Sequence, residues 1–236
     1  MRKQYEESLH NMTVSVCCEA FNLKPKEVAE AYRNIPTIRA KERFLSESLD
    51  SFGDNFDIET LEGKRKFVKN LVVYYMLCEG VWFFSNFALV MALGRQNKLT
   101  GLYDQIIYTV RDETVHFSFG AKLIETIRKD YPEIWSRGFE QDILTTFMRG
   151  VELECAYSKD ILPNGILGVT AESLEQYVKY IANQRLKMLG ITPAYPQNQQ
   201  NPFPWISESQ EAKGMTAFFE RREKNYQTSG AIDEDF

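Results

Sequence analysis

The chain has 236 residues, 44% of them hydrophobic, a formal net charge of −5 at pH 7 and a pI near 5.3. That length and composition suit one sizeable domain with a buried core, and an acidic balance without a basic block argues against a nucleic-acid or membrane-surface binder. No run reaches the roughly 18 to 20 uncharged apolar residues of a membrane span, and MRKQYEESLH lacks the apolar core of a signal peptide, so a cytoplasmic protein is expected.

Nearly every long segment has helical periodicity, and no alternating pattern bounded by hairpin turns supports a sheet, which predicts an all-α fold. A first helix over about Lys3 to Phe21 stops at NLKP, and shorter helices over Lys26 to Arg33 and Thr37 to Leu49 flank Pro36. The next runs from about Leu61 to Leu93, where Gly94 offers a C-terminal cap, and its length is one that recurs in helical bundles. Three more follow over about Leu99 to Lys129, Gly138 to Ile161 and Ala171 to Leu189, the last two separated by the turn-rich PNGILGVT. From Thr192 onward, the four prolines of TPAYPQNQQNPFPW preclude a long helix, and RREKNYQTSGAIDEDF reads as a flexible acidic tail. The expected organisation is one helical domain over 1–205 and a tail over 206–236. Cys17, Cys18, Cys78 and Cys155 have the spacing of neither a zinc site nor a disulfide framework and are expected to stay reduced.

Both histidines of the chain, His10 and His116, follow a glutamate by three residues. On a helix, residues three apart lie about 60° apart around the axis, so Glu7 with His10 and Glu113 with His116 can each aim a carboxylate and an imidazole at one point. Between them, Glu79 is the only charged residue between Asn70 and Gly94, on an α-helical face shared with Met76 and Phe83. Burying such a carboxylate is costly unless a cation neutralises it. A single Glu-x-x-His fits a solvated helix face, and Glu79 alone fits an acid paired with Arg95 or Arg111. The joint occurrence on three helices points instead to a metal centre, because dinuclear carboxylate bundles take one Glu from each of two helices and a Glu-x-x-His from each of two others. Five of those six ligands are present. The sixth is expected on a helix preceding Glu7, which six residues are too few to form.

The stretch LCEGVWFFSNFALVMALGRQNKLTGLYDQIIYTVRDETVHFSFGAKLI resembles the metal-binding core of the small, radical-generating subunit of class I ribonucleotide reductase. VELECAYSKDILPNGILGV, YVKYIANQRLKMLGI, NPFPWISE and FFERREKNYQTSGAIDEDF are similar to successive later segments of that subunit. The resemblance implies a ferritin-like helical bundle, here without its first helices, usually a homodimer. Its dinuclear centre reacts with dioxygen, and the oxidising equivalent passes to a large subunit that makes deoxyribonucleotides. Carried over by motif position, Glu7, His10, Glu79, Glu113 and His116 are metal ligands, and Asp112 is the carboxylate that hydrogen-bonds His10. Tyr226 matches the tail tyrosine that relays the radical, and the tail ending at Phe236 matches the segment that docks on the large subunit.

Two departures from that pattern bear on function. The position four residues after the first ligand histidine, a radical-bearing tyrosine in the common form, is Val14, which cannot hold a stable radical. The wording of the chain is closest to the class Ic subgroup, in which a manganese/iron centre stores the oxidising equivalent, so manganese/iron is expected in preference to di-iron. The absent first carboxylate implies a separate N-terminal fragment that completes the bundle, a truncated or misassigned frame, or a chain that keeps only a binding role toward the large subunit. A ferritin-like metal oxidase with its own small substrate is the other class of reading, and the docking tail counts against it.

Overall fold

The computed structural model describes residues 2–49, 57–196 and 200–211. Helix α1 covers Arg2–Ala20, α2 Pro25–Asn34 and α3 Pro36–Leu49. Proline suits the first turn of α2 and α3, because its missing N–H is one the helix leaves unpaired there anyway. The Glu27 carboxylate closes the start of α2 by accepting from the Lys24 N–H at 2.7 Å.

The centre of the molecule is one continuous rod, α4 (Leu61–Leu71), a π-helical segment (Val72–Trp82) and α5 (Phe83–Arg95). Thr60 caps its start by accepting from the Gly63 N–H at 3.0 Å. Around the π segment pack α6 (Thr100–Asp130), α7 (Arg137–Ile161) and α8 (Ala171–Met188). A short 3-10 turn, Pro132–Ile134, joins α6 to α7, and α9 (Pro204–Glu211) packs on α6. Among the described residues no strand forms, and the PNGILGVT turn is closed by an isolated bridge between Ile166 and Val169. The all-α expectation therefore holds.

The rod is apolar because it is surrounded. Val68, Met76, Leu77, Val81, Phe84 and Ala88 are fully excluded from solvent, and Val110, Phe147, Val151, Val178 and Leu186 of the neighbouring helices close over them. Each of these side chains larger than alanine contributes roughly 1.5 to 3 kcal/mol on burial. Leu61–Arg95 is long and apolar enough to cross a membrane, yet 72% of its most apolar window is buried inside the protein. At Gly120 of α6, an added Cβ would fall 2.3 Å from the Tyr75 side chain, so glycine there lets α6 approach the π segment.

Two expectations change. The Leu61 to Leu93 helix is not uniformly α: its middle 11 residues are π-helical, and the Phe83 N–H reaches back five residues to the Cys78 carbonyl. The wider spacing rotates side chains away from their α positions, so Phe83 is 40% exposed while Glu79 and Met76 are buried. Gly94 is not the cap. The helix runs on to Arg95, and Asn97, at φ 55°, takes the left-handed position, with Lys98 N–H bonding the Leu93 carbonyl and Asn97 N–H that of Gly94. The helix α9 starts at Pro204, at the end of the proline-rich stretch, and at eight residues is short, as the prolines require, with Ile206 in the core.

One buried ion pair ties the outer helices to the rod. Glu154 of α7, fully excluded from solvent, accepts from the Lys41 ammonium of α3 and from the Ser85 hydroxyl of α5. The ammonium also lies 4.4 Å from the ring centres of both Trp82 and Tyr157.

Candidate metal centre

The π segment, α1 and α6 meet at one polar cluster in an otherwise apolar interior. Glu79 projects into it from the π segment, Glu113 and His116 from adjacent turns of α6, and Glu7 and His10 from adjacent turns of α1. One ligand atom each from Glu7, Glu79, Glu113 and His116 lie within 4.8 Å of one another. His10 borders this group, its Nδ1 3.2 Å from Glu113 Oε1 and 3.7 Å from Glu7 Oε2. Glu79, Glu113 and His116 are nearly or fully buried, while Glu7 keeps about a third of its side chain exposed.

The two imidazoles are oriented alike. His116 turns Nδ1 toward Glu113 Oε2 at 3.2 Å and Glu7 Oε1 at 3.5 Å, and its Nε2 meets Glu6 Oε2 at 3.0 Å. His10 turns Nδ1 toward Glu113, and its Nε2 meets Asp112 Oδ2 at 3.2 Å. A carboxylate only accepts, so each Nε2 donates outward, which presents the Nδ1 of a neutral ring to the interior as a ligand atom. The carboxylate beside His10 Nε2 is that of Asp112.

Glu6 and Lys3 are additions to the expected site. Glu6 is the one buried residue of α1, held by Arg2 at 2.7 Å and by His116. No spacing in the sequence marks it, since a residue next to Glu7 points about 100° away from it around the helix. Lys3 sets its ammonium 2.6 Å from Glu79 Oε1 and 4.0 Å from Glu7 Oε1. The cation beside Glu79 is therefore this lysine, in place of the arginines the sequence offered.

Charge states follow from these contacts. Burial pushes the Glu79 carboxyl up to about 7 against the opposing pull of Lys3. The Glu113 carboxylate facing Nδ1, aided by the Asp112 carboxylate at Nε2, raises the His10 imidazole to about 9. The Arg2 hydrogen bond holds Glu6 below the usual carboxylate range. Burial pushes the neighbouring Cys78 thiol up to about 12.

Whether these residues fit a metal is decided by their unpaired atoms. Among the described residues, four of the seven buried side-chain atoms without a hydrogen-bond partner are Glu7 Oε1, His10 Nδ1, Glu79 Oε2 and Glu113 Oε1. Each such orphan costs roughly 1 to 3 kcal/mol. Their concentration in one cluster is what a ligand set looks like without its cation, and a carboxylate and imidazole donor set suits iron or manganese. Val14 stands apart: 61% exposed, it is not packed into the cluster. Tyr226 and Phe236 lie outside the described residues.

The chain is similar to known proteins over most of its length. The family described as "Ribonucleotide reductase, small chain" matches residues 2–202. The chain is 40% identical over 233 residues to a ribonucleoside-diphosphate reductase subunit beta of Chlamydia pneumoniae, covering 98% of this chain and 67% of that protein. It is 27% identical over 227 residues to the subunit of the same name from Halalkalibacterium halodurans, covering 94% and 63%. The chain thus spans about two thirds of the length of these relatives. A solved structure described as a class I ribonucleotide reductase from Bacillus halodurans superposes with a TM-score of 0.77 at 27% identity, over 88% of this chain and 72% of that one. The ribonucleotide reductase R2 subunit from Clostridium botulinum, at 24% identity over 88% and 64%, has the same fold with a TM-score of 0.77.

Proposed function

This chain belongs to the ribonucleotide reductase small-chain family, and from that premise we propose that it is the radical-supplying subunit of a cytoplasmic ribonucleoside-diphosphate reductase. Glu7, His10, Glu79, Glu113 and His116 hold a dinuclear centre, manganese/iron in preference to di-iron. When bound, that centre reacts with dioxygen and supplies the oxidising equivalent that a large subunit uses to make deoxyribonucleotides. The observation that carries the reading is the convergence of Glu7, Glu79, Glu113 and His116 within 4.8 Å, each of the three carboxylates with an orphaned buried oxygen, and with both imidazoles turned Nδ1-inward by outer carboxylates.

The chain's own residues have distinct tasks. Glu79 and Glu113, excluded from water, supply the anionic charge a dication needs in a low-dielectric interior. Asp112, with 30% of its side chain exposed, connects the His10 Nε2 proton to the protein surface and is suited to pass charge along that line. Val14 puts no oxidisable ring four residues beyond His10, which supports the class Ic assignment and a manganese/iron centre. The tail carrying Tyr226 docks on the large subunit, and the working small subunit is a homodimer.

The test is metal content per chain after anaerobic loading with manganese and iron, followed by electron paramagnetic resonance on exposure to oxygen. Two metals per chain and a coupled signal are expected. A chain that takes up no metal is not a radical generator.

A further inference from the structure

The proposed centre leaves Lys3 without a task. Lys3, Glu7 and His10 fall at i, i+4 and i+7 of α1 and so on one face of it, the face turned to the cluster. The ammonium sits 2.6 Å from Glu79 Oε1 and 4.0 Å from Glu7 Oε1, over the rings of Tyr75 and Tyr74 at 4.1 and 4.5 Å. Two carboxylates and two ring faces thus form a seat for a cation, and both carboxylates belong to the group whose ligand atoms lie within 4.8 Å. Glu79 has one oxygen on the ammonium and the other without a partner.

The same oxygens cannot serve an ammonium and a metal at full strength, because two cations sharing buried carboxylates repel one another in a low-dielectric site. Lysine is suited to yield: its charge is a compact point on a flexible stem, and 27% of this side chain is exposed, so a path to water is open. We propose that the Lys3 ammonium is an internal competitor for the Glu79 side of the centre, neutralising Glu79 in the metal-free chain and swinging out before a second divalent cation is held there. This rests on the metal-centre reading and adds to it an inequality: the equivalent that draws on Glu79 binds more weakly than the other. It also makes Lys3 a selector, since the cation that displaces it must outmatch an ammonium already in place.

The experiment is anaerobic calorimetric titration of the full chain with Mn2+, for the wild type, Lys3→Met, Lys3→Gln and Lys3→Arg, with melting temperatures taken with and without metal. Lys3→Met keeps the stem and removes the charge, so its weaker equivalent is expected to bind roughly tenfold tighter, within the usual range of coupling between sites. Lys3→Gln is neutral and still able to hydrogen-bond Glu79, and gives the same result should the methionine variant not fold. Lys3→Arg keeps the charge and binds no tighter than the wild type. Without metal, the neutral variants melt lower than the wild type, and metal raises their melting temperature by more. Unchanged affinities for both equivalents, with melting lowered alike in metal-free and loaded forms, overturn the proposal, reduce Lys3 to a pin between α1 and the rod, and leave the metal centre standing. Failure of the wild type and every variant to bind Mn2+ overturns both readings.

Discussion

Glu6 and Glu7 are neighbours in sequence with different tasks in space. Glu7 turns an unpaired oxygen toward the cluster, while Glu6 stands behind it and accepts from His116 Nε2 at 3.0 Å. Removing an outer carboxylate of this kind typically weakens metal binding 10- to 100-fold, because the imidazole loses both its tautomer and its orientation. Glu6→Ala is therefore expected to weaken Mn2+ binding by roughly that factor while leaving the helical circular dichroism unchanged; an unaltered affinity removes Glu6 from the site. A second residue-scale prediction concerns Lys41 and Glu154. Lys41→Met leaves the Glu154 carboxylate buried without its cation, which costs about 3 to 5 kcal/mol in urea unfolding. Glu154→Gln in the same chain recovers part of that loss, because the stranded charge is gone. Equal stability of the single and double variants places the cost in the packing of Lys41 against Trp82 and Tyr157 instead.

At the scale of elements, the π segment is what the periodicity of the sequence hides. VVYYMLCEGVW carries a single charge, Glu79, and no polar face, so its pattern does not separate an α from a π spacing, and packing against α6, α7 and α8 distinguishes them. The consequence is visible at Phe83, which an α face pairs with Glu79 and the π spacing turns to the surface. The helix end shows a related substitution of roles. Gly94, the apparent cap, lies inside the helix and makes room for Tyr103, whose ring atoms are 2.2 Å from where a Cβ would stand. Gly94→Ala is thus expected to destabilise by about 1 to 3 kcal/mol through overpacking despite alanine's better helix propensity. A stabilised variant in thermal unfolding contradicts that account. In α9, four nearby prolines obscure a helix whose first position one of them favours.

For the whole molecule, α1 is held differently from every helix around the rod. Its one buried residue is the charged Glu6, while Tyr5, Met12, Val14 and Val16 are each more than half exposed. Its attachment is the polar cluster. Stability in proteins follows buried contacts locally, so α1 is expected to open more easily than α5 or α7. A ligand that binds only the closed form protects it by mass action, about 2.7 kcal/mol at a hundredfold excess over the dissociation constant. Hydrogen exchange of α1 amides is accordingly expected to slow by roughly 100-fold on metal loading at that excess, and to return to its starting rate on chelation, with α7 little changed. Equal protection of α1 and α7 in the metal-free chain counts against this picture.

Sequence alone determined the helical class and the pairing of each histidine with a glutamate, because both are consequences of local backbone geometry: a turn of helix brings residues three and four apart together whatever surrounds them. Resemblance between short motifs carried the family. Tertiary structure decided the rest. Lys3 meets Glu79 across 76 residues and Glu6 meets His116 across 110, and no local periodicity encodes such contacts. They depend on how α1, α6 and the rod stack, and on a helix spacing that the apolar run permits and only its neighbours select.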